Sequence, residues 1–213
     1  MSYIQKAISR KEQKEKTNDI CYVTELTKCL LKAYLDRKNP QEYDDPTLRR
    51  FAAGDLIEEA FLQTLYKDPD IYVIDTQYPA YYINETYEIH GRIDILTQHQ
   101  KQKIVAHEVK SAKDYPWKEE PYENHQKQLQ FYLGATGITN GEINYISKKA
   151  LVTGEKELDQ THIVIMDTTI YEEMIQRGKT LTDALKTATP PQPEPSWLCD
   201  YCQHECTARG ENK

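Results

Sequence analysis

The chain has 213 residues, 38% of them hydrophobic and 29% charged, with a formal net charge of −7. That length supports one sizeable core, or a core with a small appended module. No stretch is long and apolar enough for a membrane span and the N-terminus lacks the apolar run of a secretion signal, so a soluble, cytoplasmic protein without a membrane partner is expected; the acidic balance excludes a globally basic nucleic-acid binder and leaves only local attraction.

Residues 1–19 form a charged N-terminal extension with no apolar stripe. Thr24 is placed to cap a helix in which Leu26, Cys29, Leu30 and Ala33 recur at helical spacing, and Asn39-Pro40 ends it. A second helix is predicted over 47–67, with Ala53, Ile57, Ala60, Phe61 and Leu65 along one side and Pro69 closing it. Strands are predicted at 71–83, 86–97 and 103–112. A Pro/Trp/Glu-rich loop then leads to a third helix from about Asn124. Two further strands, 142–153 and 160–166, precede a last helix over 169–187, with Thr169 and Glu172 as its capping box. A proline-rich linker delivers the chain to a cysteine-bearing tail. This order predicts an α/β fold with a mixed central sheet flanked by helices, a core unit at 20–188 and a tail at 189–213. There is no Gly-rich phosphate loop, which argues against Walker or dinucleotide-type nucleotide binding.

The predicted hairpin 91–112 is apolar on both faces, as a central strand pair should be, yet it carries Asp94, Glu108 and Lys110. With a turn centred near 100–101, period-2 geometry sets Asp94 almost opposite Glu108, with Lys110 two residues on. Two adjacent carboxylates repel, and one takes up a proton unless a cation lies between them. A divalent hard metal satisfies both, and a neighbouring lysine then serves to position water or stabilise phosphoryl charge. An ordinary Lys–Glu–Asp ion-pair cluster is the plainer alternative.

Other segments extend the pattern. In the second helix Asp55, Glu59 and Gln63 form the polar side, whereas Glu58 falls on the inward side with Ile57, Phe61 and Leu65. Gly54, one turn earlier, is expected to admit another backbone. Gln128 and Tyr132 lie one turn apart in the third helix and share a face. The five cysteines are an odd number, against a disulfide framework in a cytosolic chain. Cys199, Cys202 and Cys206 have metal-ligand spacing. Zinc, completed by another cysteine or His204, and an iron–sulfur cluster both suit them.

The ordered series G-x-x-x-E (54–58), G-x-x-D (91–94), E-x-K (108–110) and Q-x-x-x-Y (128–132) resembles the RecB-type branch of the PD-(D/E)xK nucleases. With one early cysteine and three late ones, the chain also resembles the CRISPR-associated exonuclease (Cas-4) family and stand-alone relatives in archaeal viruses. The resemblance implies a restriction-endonuclease-like core. It implies Mg²⁺ or Mn²⁺ held by Glu58, Asp94, Glu108 and the Val109 carbonyl. Lys110 would act on the attacking water, and Gln128 and Tyr132 would position the lysine and the DNA strand. It further implies a [4Fe-4S] cluster on Cys29, Cys199, Cys202 and Cys206, with Cys21 as the alternative early ligand. The family's last two cysteines are often further apart than here, which keeps zinc in view. The implied activity is phosphodiester hydrolysis of single-stranded DNA, 5′→3′, with some internal cutting, and tyrosines and Trp117 offer stacking surfaces. CRISPR integrase proteins or other DNA-processing proteins are the implied partners, and an oligomer is compatible. A non-catalytic DNA-binding or assembly module, or a zinc-stabilised structural protein, is the competing reading.

Overall fold

The computed structural model describes residues 17–40, 43–99, 103–112, 119–154 and 159–206, the side chains of 150–152 excepted. Its elements run β1 (Ile20–Tyr22), α1 (Val23–Leu26), α2 (Leu30–Lys38), α3 (Asp45–Leu65), β2 (Ile71–Ile83), β3 (Glu88–His99), β4 (Lys103–Ala112), α4 (Glu123–Thr136), β5 (Asn140–Ser147), α5 (Lys148–Thr153), β6 (Gln160–Ile165) and α6 (Thr168–Thr187). A 3₁₀ turn, Trp197–Tyr201, follows the linker. Most of the 1–19 extension and the segment carrying Trp117 lie outside the described residues.

The α/β class with a mixed sheet is what the chain adopts. Six strands form one sheet in the order β1-β3-β4-β5-β6, with β2 paired to the other edge of β3. β1–β3 and β4–β5 are parallel; β2–β3, β3–β4 and β5–β6 are antiparallel. The core is drawn from the sheet, α1, α2, α4 and α6, with Ile89, Ile93, Leu129, Leu133, Ile143 and Leu181 fully buried.

One detail of β3 positions the site. Along one edge β3 pairs with β2 for most of its length. Along the other edge, residues 88–90 pair with β1 and residues 95–99 pair with β4. Gly91 to Asp94 therefore span a fork, where one neighbour has ended and the next has not begun.

Four expectations are corrected. The first helix is interrupted at Thr27–Cys29, so Cys29 caps α2 and does not sit in a helical stripe. The cause is tertiary. Arg177 of α6 donates to the carbonyls of Leu26 (2.6 Å) and Lys28 (2.5 Å), and Glu194 of the linker accepts the Leu30 N–H (2.9 Å), so these three backbone groups at the break are paired. In α3 only Ile57 and Leu65, two turns apart, are buried; Phe61 is half-buried and Ala60 exposed, because the helix meets the sheet along a narrow line. The predicted strand 142–153 stops at Ser147 and turns into α5, since its pairing with β4 ends at Ala112↔Ser147. The α6 cap is Asp167, whose carboxylate accepts the Thr169 N–H at 2.8 Å, and not Thr169.

Candidate active site and cysteine cavity

The hairpin register is the expected one. Ile95 pairs with His107 and Leu96 with Ala106, which sets Asp94 across from Glu108 at the mouth of the fork. There the ladder gives way to a side-chain bond: the Val109 N–H donates to Asp94 Oδ2 at 2.8 Å. Gly91 is required by packing. A Cβ on it would lie 2.4 Å from Tyr132 Cε1 and 2.7 Å from Val23 Cγ2. Gly54 has no such role, for a Cβ there would meet nothing within 4 Å, and the expected close backbone approach is absent.

Glu108 is fully buried and forms an ion pair with Lys110. Among the described residues, no donor other than that lysine reaches either of its oxygens. Lys110 Nζ also donates to Gln128 Oε1 (3.3 Å), and Gln128 Nε2 donates to Tyr132 Oη (2.9 Å). The Gln128–Tyr132 pair of α4 thus reaches the lysine in the order the motif suggested. Glu58 accepts a 2.7 Å bond from Gln77 Nε2. Glu59 is solvent-facing and bonded to Gln63.

The charges of these groups are coupled. Burial, then the Glu108 charge, push the Asp94 carboxyl up to about 7. Burial also raises Glu108, against the pull of Lys110. Glu58 is raised by burial and next by Asp94. Burial would lower Lys110, but Glu108, Asp94 and Glu58 together outweigh it and hold the ammonium above its ordinary value. Three carboxylates share one lysine, and the excess of negative charge sits among oxygen donors. That donor set fits Mg²⁺ or Mn²⁺. Among the described residues no three His, Cys, Asp or Glu side chains form a ready-made metal-holding group. The carboxylates are engaged singly, Glu108 by Lys110, Asp94 by the Val109 N–H and Glu58 by Gln77, and the described cysteines are likewise not gathered into such a group.

Gln77 escaped the sequence reading. It lies in β2 with a left-handed φ of 56°, a strained setting for a non-glycine residue, and it is what engages Glu58. A polar residue in a predicted strand carries no signal of that role.

The cysteines divide cleanly. Cys21 is fully buried, with Sγ 3.3 Å from Thr182 Oγ1, and belongs to the core. Cys29, Cys199, Cys202 and Cys206 all line one cavity of about 230 Å³, together with Lys28, Lys32 and Glu194. Backbone N–H groups of Glu194 and Ser196 donate to Cys29 Sγ and Cys199 Sγ, each at 3.4 Å. His204 also lines the cavity, but its Nε2 is engaged by Asp36 Oδ1 at 2.6 Å. Four soft sulfur donors thus line one space, a donor type that suits zinc or an iron–sulfur cluster.

A mixed sheet with a carboxylate–lysine fork at its centre defines a nuclease-type α/β core, and solved structures share the fold. The chain is similar to the crystal structure of SSO0001, with a TM-score of 0.65 and 20% identity over 97% of this chain and 94% of that one. An alkaline exonuclease from Laribacter hongkongensis gives a TM-score of 0.56 at 11% identity, covering 80% of this chain and 90% of the other. A phage-related exonuclease from Haemophilus somnus 129PT gives 0.55 at 11%, covering 79% and 94%. No curated protein matches the chain in sequence. The sequence pattern of the PD-(D/E)XK nuclease superfamily matches residues 2–207, and the chain belongs to that superfamily.

Proposed function

We propose that the protein is a metal-dependent DNA nuclease of the Cas-4 type, an exonuclease on single-stranded DNA, 5′→3′, with some internal cutting. The observation that carries this reading is Glu108, wholly buried, with no donor for its oxygens among the described residues beyond Lys110, and set across the fork from Asp94. A buried carboxylate pair is costly unless a cation or a proton compensates it. Glu58, Asp94, Glu108 and the Val109 carbonyl would hold Mg²⁺ or Mn²⁺, which supplies Lewis acidity toward a phosphodiester and lowers the pKa of bound water. Lys110, held by Glu108 and Gln128, presents its ammonium to the attacking water and to the charge that grows on the phosphoryl oxygens. Tyr132 fixes Gln128 and, through it, the lysine.

The cysteine cavity would hold a [4Fe-4S] cluster on Cys29, Cys199, Cys202 and Cys206, tying α2 to the tail. The setting is cytoplasmic, with CRISPR integrase proteins or other DNA-processing proteins as partners. Among the described residues no helix is long and apolar enough to cross a membrane.

Labelled single-stranded DNA with Mn²⁺ tests the catalytic assignment. Wild type should digest it, and Lys110→Ala and Asp94→Ala should not; equal rates in all three overturn the assignment. Blocking the 5′ or the 3′ end reads the polarity. For the cluster, the purified protein should be brown and carry iron and sulfide, with Cys29→Ser losing the colour and Cys21→Ser keeping it. A colourless protein with stoichiometric zinc overturns that part.

A further inference from the structure

An aromatic row leads away from the catalytic lysine along the N-terminal end of α4. Tyr122, the cap of that helix, packs against His125 (ring centroids 5.7 Å) and against Trp197 (5.6 Å). Trp197 in turn packs edge-on against Tyr201 at 6.1 Å. Trp197 and Tyr201 are 55% and 80% exposed, so two large rings stand in solvent at the end of a supported row. Exposed aromatic surface of this kind is costly unless something covers it. Positive charge adjoins it. Lys28 lines the cavity together with Ser196 and Leu198, the residues on either side of Trp197. It is solvent-accessible, and Asp36 and Glu25 are the carboxylates whose charge favours it. Lys32, one turn on, is taken up by Asp36. Burial and then Lys32 disfavour the Lys28 charge, and Lys110 adds to this, against the pull of Asp36 and Glu25. In an acidic chain, this places a solvent-accessible lysine beside the rings and within electrostatic reach of Lys110.

We propose that Trp197, backed by Tyr122 and flanked by Tyr201, is a base-stacking subsite for single-stranded DNA, with Lys28 taking the adjoining phosphate. This rests on the nuclease reading and adds where the strand lies next to the fork. Bases stack on aromatic rings with little regard to sequence, and lysines beside the rings follow the backbone. Tyr122 is six residues before Gln128, about 9 Å along the helix axis. A nucleotide on the row is therefore a near neighbour of one held at Lys110. Trp197–Tyr201 is also the turn that carries Cys199, so the same short segment would belong to both the cysteine cavity and the DNA track.

The test uses the full-length protein with a fluorescein-labelled oligothymidine and a blunt duplex of matched length. In Trp117→Phe, which leaves Trp197 as the sole tryptophan, oligothymidine should quench the indole fluorescence. Trp197→Ala should weaken oligothymidine binding at least about five-fold, Trp197→Phe should restore most of it, and duplex binding should change little. Tyr201→Ala, at a largely exposed position with little packing to lose, and Lys28→Gln should each weaken it in the same direction. On a long strand the loss should appear in KM, with kcat little changed. If wild type cuts the oligonucleotide but Trp197→Ala and Tyr201→Ala bind it as tightly as wild type, the subsite is wrong and the nuclease reading stands. Equal losses on strand and duplex, or no quenching of Trp197, also overturn the subsite. If wild type neither binds nor cuts it, both fall together.

Discussion

The fork and the cysteine cavity solve the problem of holding reactive groups in opposite ways. At the fork, every donor sits on a regular element: Asp94 on β3, Glu108 and Lys110 on β4, Glu58 on α3, Gln128 and Tyr132 on α4. Rigid backbone fixes the positions, and the burden is electrostatic, like charges forced together in a buried setting. At the cavity, every cysteine sits on a helix break, a 3₁₀ turn or a tail. There the burden is conformational, and a clamp of Arg177 and Glu194 carries it. Removing charge should therefore relieve the first site, and removing the clamp should loosen the second.

The largest effect is expected at the fork in catalysis. Glu108→Gln keeps the shape but removes the charge, and Mn²⁺-dependent hydrolysis should fall about a hundred-fold or more. Retained activity would show that the fork is an ion-pair cluster and nothing more.

Asp94→Asn tests the electrostatic burden itself. In the metal-free protein the Asp94 carboxyl is raised from 3.8 to about 7. A carboxyl whose folded pKa lies above its unfolded value stabilises the fold while protonated, and that contribution is lost as pH rises from about 4 through about 7. At pH 8 the asparagine, which still accepts from Val109, should therefore stabilise the metal-free protein by about 2–4 kcal/mol, with no gain near pH 3.5. Urea melts at both pH values read this. Added Mn²⁺ should stabilise wild type and leave the variant nearly unchanged.

Gly91→Ala tests the packing beneath the fork. Its Cβ would press on the Tyr132 ring, and melting should report a loss of about 1–3 kcal/mol with reduced activity. A neutral result would mean that Tyr132 has room to move. The smallest effect belongs to the clamp. Arg177→Met unpairs the partly exposed Glu194 and the carbonyls of Leu26 and Lys28, at a cost of about 1–2 kcal/mol. Iron retention should suffer more than global stability, which a chelator challenge measures; unchanged retention would show that the clamp does not hold Cys29 in place.

The two regions also differ in how much of them the chain announces. Asp94 opposite Glu108 was readable because a hairpin with a fixed turn and a period of two leaves one register available. Spacing set Lys110 beside Glu108 and put Gln128 and Tyr132 on one helix face; that this face meets Lys110 came only from the family resemblance. The fork between β1 and β4 was not readable, since it depends on a three-residue strand pairing in parallel across some seventy residues of chain. Cys29 was grouped with the late cysteines by resemblance alone; its apolar spacing predicted a continuous helix, and contacts from α6 and the linker broke it. Gln77 acts through a backbone angle that its residue type does not advertise.

That broken helix has a consequence for the order of events in the cell. The groups that hold residues 27–29 out of the helix lie about 150 positions further on, Arg177 being 151 residues after Leu26. A chain still being synthesised has made Cys29 but not its clamp, and local preference alone would leave 24–38 as one helix with that thiol on its apolar side. The four thiols meet around one space only after the linker has emerged and folded back. Any inorganic cargo they accept is thus delivered only after Arg177, Glu194 and the late cysteines have been made, and its presence would report that these two distant segments had met.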